Sequence, residues 1–336
     1  MMGQVDRLWY GTGRPLWMLW PLAWLYQAIA GRRRKRALKA NESEPPLPAP
    51  VIVVGNITAG GTGKSPLTAW LAALLKDEGW HPVILTRGYG ARATQYPLLA
   101  GPDTPASQAG DEPVMLAAIT GCPVVVDPKR VRAARWAVSQ HLGNIFICDD
   151  GLQHYALPRD IEVVVFDGER GFGNGAPIPV GPLREPRSRL ATVDFVVCNG
   201  SAVEGIEHPS QYVMTLNPTL LRHLQTGKTR PVDWLAGQRV KAVAGIGNPG
   251  RFFSTLTALG ARVNGQAFPD HHRFAPEDLN VAPGEVLVMT AKDAVKCKAF
   301  AQDDCWVLEV SASFPDHFKK SVMSAVAGIR VSSPSE

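Results

Sequence analysis

A chain of 336 residues, 45% hydrophobic and 19% charged, can bury a sizeable core, which excludes a generally disordered protein. The net charge of +5 does not point to nucleic acid, because residues 32–36 (RRRKR) carry five positive charges by themselves and the remainder is near neutral. The five cysteines are odd in number and show no C-x-x-C spacing, which argues against a disulfide framework or a zinc site and fits a reducing cytosol.

Residues 16–30 (LWMLWPLAWLYQAIA) are almost wholly apolar, and Trp9, Trp17, Trp20 and Trp24 crowd this opening stretch with Tyr10 and Tyr26. Such rings, apolar in body and polar at one edge, favour the membrane–water boundary. The segment falls short of the ~20 apolar residues that span a hydrocarbon core. Its basic cluster follows the apolar run, the reverse of a signal peptide. Residues 1–40 are therefore expected to form a membrane-associated helix with its basic run on anionic headgroups. A helix packed on its own body and a shallow spanning helix stay open. Residues 41–50, polar and proline-rich, read as a linker.

The run at 51–54 (VIVV) has the continuous β-branched character of a buried parallel strand, and it feeds into GNITAGGTGKS. A helical pattern follows at 66–76, with Leu67, Trp70, Leu71, Leu74 and Leu75 on one face. Strand, glycine-rich loop, Gly-Lys-Ser and helix together read as a P-loop. Backbone N–H groups of Gly60, Gly61, Thr62 and Gly63 would cradle the phosphates of ATP. Lys64 would reach the β- and γ-phosphates, and the Ser65 hydroxyl would hold Mg2+. Thr58 stands where the first glycine of this pattern usually sits.

A second strand, 145–148, delivers Asp149 and Asp150 to the carboxyl end of the sheet, where such an enzyme needs a metal-binding carboxylate. Asp111 and Glu112 precede a helical run at 114–119, as base, metal ligand or helix cap. Far downstream, FPDHHRF offers His271 for acid/base or orienting work. The Gly/Pro-rich stretch 167–186, with Arg184 and Glu185 near its end, reads as an active-site loop.

With VGNITAGGTGKSP, TRGYG, GDEP, PKRVRAARW, DDGLQH, DGERGFGNG, GPLREP, FPDHHRF and TAKDAVK in order from about 50 to 298, the chain resembles the tetraacyldisaccharide 4'-kinase family of lipid A biosynthesis. The resemblance implies a kinase moving the ATP γ-phosphate to the 4'-hydroxyl of an acylated glucosamine disaccharide at the cytoplasmic face of the bacterial inner membrane. It implies that Lys64 and Ser65 serve the phosphates and Mg2+, and that Asp149, Asp150, Gln153 and His154 line the metal and phosphoryl region. Asp111 and His271 would form the acid/base dyad, with Glu112 alongside and Arg184 and Glu185 on the opposite wall. Ala291 stands where an acidic residue is expected in TEKDAVK, and Ser65 where many relatives carry Thr.

The expected fold is α/β: a P-loop NTPase-like, mostly parallel sheet at 51–220, with strands at 51–55, 82–86, 123–126, 145–149, 161–166 and 193–198. A smaller α/β domain at 221–330, with a strand opening near Val240, would bring His271 into a cleft. A monomer is expected, with a membrane surface and the lipid acceptor as partners. A nucleotide-dependent membrane switch and a cytosolic small-molecule kinase are the rival readings.

Overall fold

The computed structural model describes residues 4–11, 16–41, 43, 45–301 and 303–329; part of the expected N-terminal segment and linker lies outside them. In chain order the elements are α1 (Gln4–Tyr10), α2 (Trp20–Asn41), β1 (Val51–Gly55), α3 (Lys64–Asp77), β2 (Pro82–Thr86), β3 (Leu98–Ala100), α4 (Ala106–Ala109), α5 (Asp111–Thr120) and β4 (Val124–Val126). There follow α6 (Arg130–Ser139), β5 (Ile145–Cys148), β6 (Ile161–Asp167), β7 (Phe195–Asn199), β8 (Gln211–His223), β9 (Thr229–Arg230) and β10 (Arg239–Ala244). The chain closes with α7 (Pro249–Ala258), β11 (Arg262–Ala267), β12 (Glu285–Thr290), α8 (Ala291–Cys297), β13 (Cys305–Ser313) and α9 (Asp316–Ala327). The six strands expected for the first half form as β1, β2, β4, β5, β6 and β7, each ending within two residues of its expected limits.

One sheet runs through the molecule in the order β11-β10-β12-β13-β8-β7-β6-β1-β5-β2-β4-β3, with β9 beside β8. Strands β1, β2, β4 and β5 are buried along their whole length, which is why their sequences are continuous apolar runs rather than alternating ones. Helices α3, α5 and α9 cover one face through Leu67, Leu71, Leu116 and Phe318, while α6 and the loops after β5 and β6 cover the other.

Strand β8 organises the whole. Its residues 211–214 pair parallel with β7, and its residues 215–223 pair antiparallel with β13. Because β10, β12 and β13 run parallel to one another, the two halves of the sheet point their carboxyl edges at each other across the middle of β8. The cleft expected from the sequence lies there. Helix α9 then returns to the first half, where the Phe318 ring stacks on Trp70 with centroids 5.2 Å apart. Burying a phenylalanine completely is worth about 1.5–3 kcal/mol, enough to fix the helix on that side.

The N-terminal segment divides its aromatics. Trp9 Nε1 donates to Pro179 O at 3.1 Å and Tyr10 Oη to Ala59 O at 2.8 Å, so these two rings are tied to the body. Trp20 packs beside Ala23, Ala176 and Val180. By contrast Trp17 is 75% and Trp24 65% exposed, with Met18, Leu22 and Leu25 also in the open. Among the described residues no helix is long and apolar enough to cross a membrane.

Candidate active site

The loop from β1 to α3 is shaped by contacts that its sequence anticipates only in part. Gly63 caps α3 at φ +97°, and a Cβ there would lie 2.5 Å from Asn199 Nδ2, so glycine is required on both counts. Asn199 Nδ2 in turn donates to Thr62 O at 3.2 Å. Thr58, the departure from the usual glycine pattern, is extended and forms an antiparallel bridge with Leu183, and Ala59 N donates to Pro182 O at 2.8 Å. A residue in a bridge needs no glycine; the turn is made by Gly60 at φ +104°. Asn56 Nδ2 closes the loop with a 3.1 Å bond to Gly60 O.

Lys64 and Ser65 open α3, and the Lys64 ammonium lies 3.4 Å from Asp150 Oδ1. Arg184 Nη1 approaches the same oxygen at 3.7 Å and Asn56 Oδ1 at 3.4 Å. Burial alone would raise the Asp150 pKa, but Lys64 and Arg184 outweigh it and hold the carboxyl below the usual range. Its neighbour Asp149 is fully buried, with Oδ1 accepting from Thr68 Oγ1 at 2.9 Å and Oδ2 without a partner among the described residues. Burial first, and then the Glu112 charge, push its pKa up to about 7. A dry, orphaned carboxylate oxygen within the field of Lys64 fits a bound cation, which would supply the missing partner. No cluster of three or more His, Cys, Asp or Glu suited to a metal occurs among the described residues. Mg2+ needs no such cluster, since it takes one or two carboxylates plus phosphate and water.

Gln153 Nε2 donates to Asn56 O at 2.8 Å and Glu185 Oε1 at 2.6 Å, and Glu185 is clamped from behind by Arg189 Nε at 3.2 Å. Glu185 therefore braces the wall of the loop. His154 lies among Arg130, Arg159 and Arg87; burial and those charges lower its pKa to about 4, so it is neutral at pH 7.

Across the cleft, His271 Nδ1 and Asp111 Oδ2 stand 3.1 Å apart, and Asp111 is only 7% exposed. The Asp111 bond is the main reason the His271 pKa is raised. Burial pushes Asp111 up, yet its bond to His271 and the charge of Lys292 win and lower it. The Tyr89 ring, from the loop after β2, sits 4.9 Å from the His271 ring. Both Asp150 (φ +50°) and His271 (φ +60°) occupy the left-handed region, as does His141 (φ +52°) outside the site. Lys292 Nζ meets Glu112 Oε1 at 2.9 Å and Asp270 Oδ1 at 3.0 Å. Ala291 begins α8 behind Thr290, partly buried against apolar neighbours.

Of the residues expected at the site, the structure brings Lys64, Asp150 and Arg184 together and joins Asp111 to His271, while Gln153 and Glu185 brace the loop wall and His154 sits apart among three arginines. Four contributors are absent from the sequence reading: Asn56, Thr68, Asn199 and Gly247. Thr68 follows Lys64 by four residues, a polar interruption in an apolar helix face, and Asn199 ends β7 at the sheet's carboxyl edge; both positions were readable signals.

The family profile described as "Tetraacyldisaccharide-1-P 4'-kinase" matches residues 15–327. The chain belongs to the tetraacyldisaccharide 4'-kinase family. A family member from Azotobacter vinelandii is 45% identical over 334 residues, spanning 97% of this chain and 99% of its own. One from Vibrio cholerae is 44% identical, with 96% of each chain covered. Among solved structures of the family, LpxK from Aquifex aeolicus, described as the "apo" form in complex with ATP, matches at TM-score 0.77 and 28% identity. That likeness covers 92% of this chain and 98% of the other.

Proposed function

We propose that this protein is a tetraacyldisaccharide 4'-kinase: it transfers the γ-phosphate of ATP to the 4'-hydroxyl of a tetraacylated glucosamine disaccharide. The observation that carries the reading is the Asp111–His271 pair, 3.1 Å apart, which joins the two halves of the molecule at the cleft. A P-loop alone also serves switches and motors; a base opposite it serves an acceptor hydroxyl.

Lys64 neutralises phosphate charge, and the backbone N–H groups of residues 60–63 orient the triphosphate. Ser65, Asp149 and Asp150 would hold Mg2+, which supplies charge neutralisation between the β- and γ-phosphates when bound. His271 orients Asp111, which accepts the proton of the sugar hydroxyl as its oxygen attacks in line. Arg184 adds positive charge from the opposite wall. Closure of the two carboxyl edges keeps water from competing with the acceptor.

The reaction belongs, in this reading, at the cytoplasmic face of the bacterial inner membrane. The exposed Trp17, Met18, Trp24 and Leu25, followed by the basic run of α2, support that surface.

The test is transfer of labelled γ-phosphate to the tetraacylated disaccharide in detergent micelles. Labelled lipid from the natural protein, and none from Lys64→Ala, is the expected result. Release of free phosphate alone by a folded protein would overturn the kinase reading in favour of a switch.

A further inference from the structure

Lys292 lies in the first turn of α8, on the far side of the cleft from the P-loop, and its side chain is only 13% exposed. Its base is fixed by bonds of its own. Thr290 caps α8 by accepting from Asp293 N at 3.2 Å, and the buried Asp293 carboxylate accepts from Gly245 N at 3.0 Å and Thr290 Oγ1 at 2.7 Å. From that anchored turn the ammonium reaches two carboxylates, Glu112 at 2.9 Å and Asp270 at 3.0 Å.

Those partners are the chain neighbours of Asp111 and His271, and each is bonded to its neighbour. Glu112 N donates to Asp111 Oδ1 at 2.9 Å, and His271 N donates to Asp270 Oδ1 at 3.0 Å. The Asp270 oxygen that takes the His271 amide is the same one that takes Lys292. Residue 271 also needs help to stay where it is, since its backbone sits at φ +60°.

We infer that Lys292 is a positioning residue for phosphoryl transfer: by bridging Glu112 and Asp270 it holds Asp111 and His271 in bonding register across the cleft. This rests on the reading of Asp111 as the base. Without the ammonium, Glu112, Asp270 and Asp111 would confront one another in a partly dry site, and like charges at such range repel strongly. The separation would pull apart the two segments that carry the dyad. Burial alone would favour a neutral Lys292, but Glu112, Asp270 and Asp111 outweigh it and keep the amine charged. The group touches neither the P-loop nor Asp150 in any contact described above, so its effect should appear in the rate of the chemical step.

The experiment compares Lys292→Met and Lys292→Arg in the full chain, using micellar acceptor and ATP, with thermal midpoints as the control for folding. Lys292→Met should lower kcat by roughly tenfold to a hundredfold, short of the loss from removing a base outright, with KM for ATP within about twofold. Lys292→Arg should regain most of that rate, because it restores a cation between the same oxygens. In an Asp111→Ala background, Lys292→Met should cost less than about threefold more, since a residue acting through Asp111 has nothing left to position. If Lys292→Met does not fold, Asp270→Asn weakens the other end of the bridge and should give the same split. A folded Lys292→Met at the natural rate, a loss confined to KM, or a loss that multiplies in full with Asp111→Ala would overturn the inference. Asp111→Ala at the natural rate would instead remove the base reading itself, and this inference with it.

Discussion

The backbones of Gly61 and Gly247 lie against each other, Gly61 in the P-loop and Gly247 in the turn that follows β10. A Cβ at Gly247 would come within 2.5 Å of Gly61 N and 2.8 Å of Gly61 Cα. Both partners are backbone, so neither can swing aside. Alongside, Asn248 caps α7 and donates to Asp167 at 3.3 Å and Glu169 at 3.2 Å, while Arg251 bonds Asp167 at 3.0 Å. The smallest possible side chains let the second half of the sheet touch the phosphate-binding loop directly. Gly247→Ala should therefore prise the halves apart, lowering the thermal midpoint together with turnover. A tenfold lower kcat, equivalent to about 1.4 kcal/mol, is the expected scale. Steady-state kinetics beside calorimetric melting would measure both.

Asp111 supplies the second prediction. Asp111→Ala should reduce turnover by roughly 10²–10⁴-fold, the usual contribution of a general base. ATP affinity should hardly move, because the carboxylate bonds His271 and the Glu112 amide rather than Lys64 or Asp150. Single-turnover rates with titration calorimetry of ATP separate the two quantities, and a near-natural rate would strike Asp111 from the mechanism.

The ionic state of the dyad is open to direct titration. The Asp111 bond raises the His271 pKa above its ordinary value of about 6.5, and the pairing lowers that of Asp111. The pair is thus ionic between those two values. The His271 contribution to stability is fully present below about 6.5 and is lost as pH rises through its raised folded-state pKa. Asp111 works the other way: its contribution holds above its unfolded value and fades as pH falls through the lowered one. Side-chain NMR of His271 should give a midpoint above 6.5, and Asp111→Asn should bring it down. An unchanged midpoint in Asp111→Asn would separate the two groups electrostatically.

Local chemistry made much of this site legible in advance. The P-loop and the strand before Asp149 announce themselves because a phosphate cradle and a buried parallel strand each demand a restricted set of residues in consecutive order. The meeting of Asp111 with His271, 160 residues downstream, comes only from the family resemblance, since no periodicity encodes a contact across a cleft. Asn199 is missed for a smaller reason: the apolar run of its strand ends at Cys198, and the residue that touches the P-loop is the first polar one beyond it. The double role of β8 is hidden as well. Its half-exposed, mixed sequence (QYVMTLNPTLLRH) belongs to a strand whose neighbours change midway.

His154 gives a stability prediction with the opposite sign to His271. Its folded-state pKa is depressed to about 4 by burial and by Arg130, Arg159 and Arg87. The unfolded chain takes up that proton near 6.5 and the folded chain does not, so the fold loses stability as pH falls from about 6.5 toward 4. His154→Gln should lessen the drop in thermal midpoint between pH 7.5 and pH 5 at this one position. An equal drop in both proteins would mean that His154 does not titrate as described.

Vesicle binding tests the N-terminal surface. Trp17 and Trp24 are largely exposed, so replacing both with Ser should leave the melting temperature close to that of the natural protein. Flotation with anionic vesicles should fall sharply, and high salt should weaken whatever the basic run contributes. Unchanged flotation would leave these rings without a membrane role.

Strand β8 also sets how this molecule can be taken apart. In most two-lobed enzymes a loop joins the lobes and can be cut, lengthened or swapped. Here the join is a single hydrogen-bonded strand serving one neighbour with residues 211–214 and another with residues 215–223, and α9 then stitches the chain's last helix back to the first lobe. Neither lobe can be expressed alone without exposing a raw sheet edge. Whatever opening admits ATP and lipid must come from twisting a shared sheet, a stiff spring in place of a free hinge.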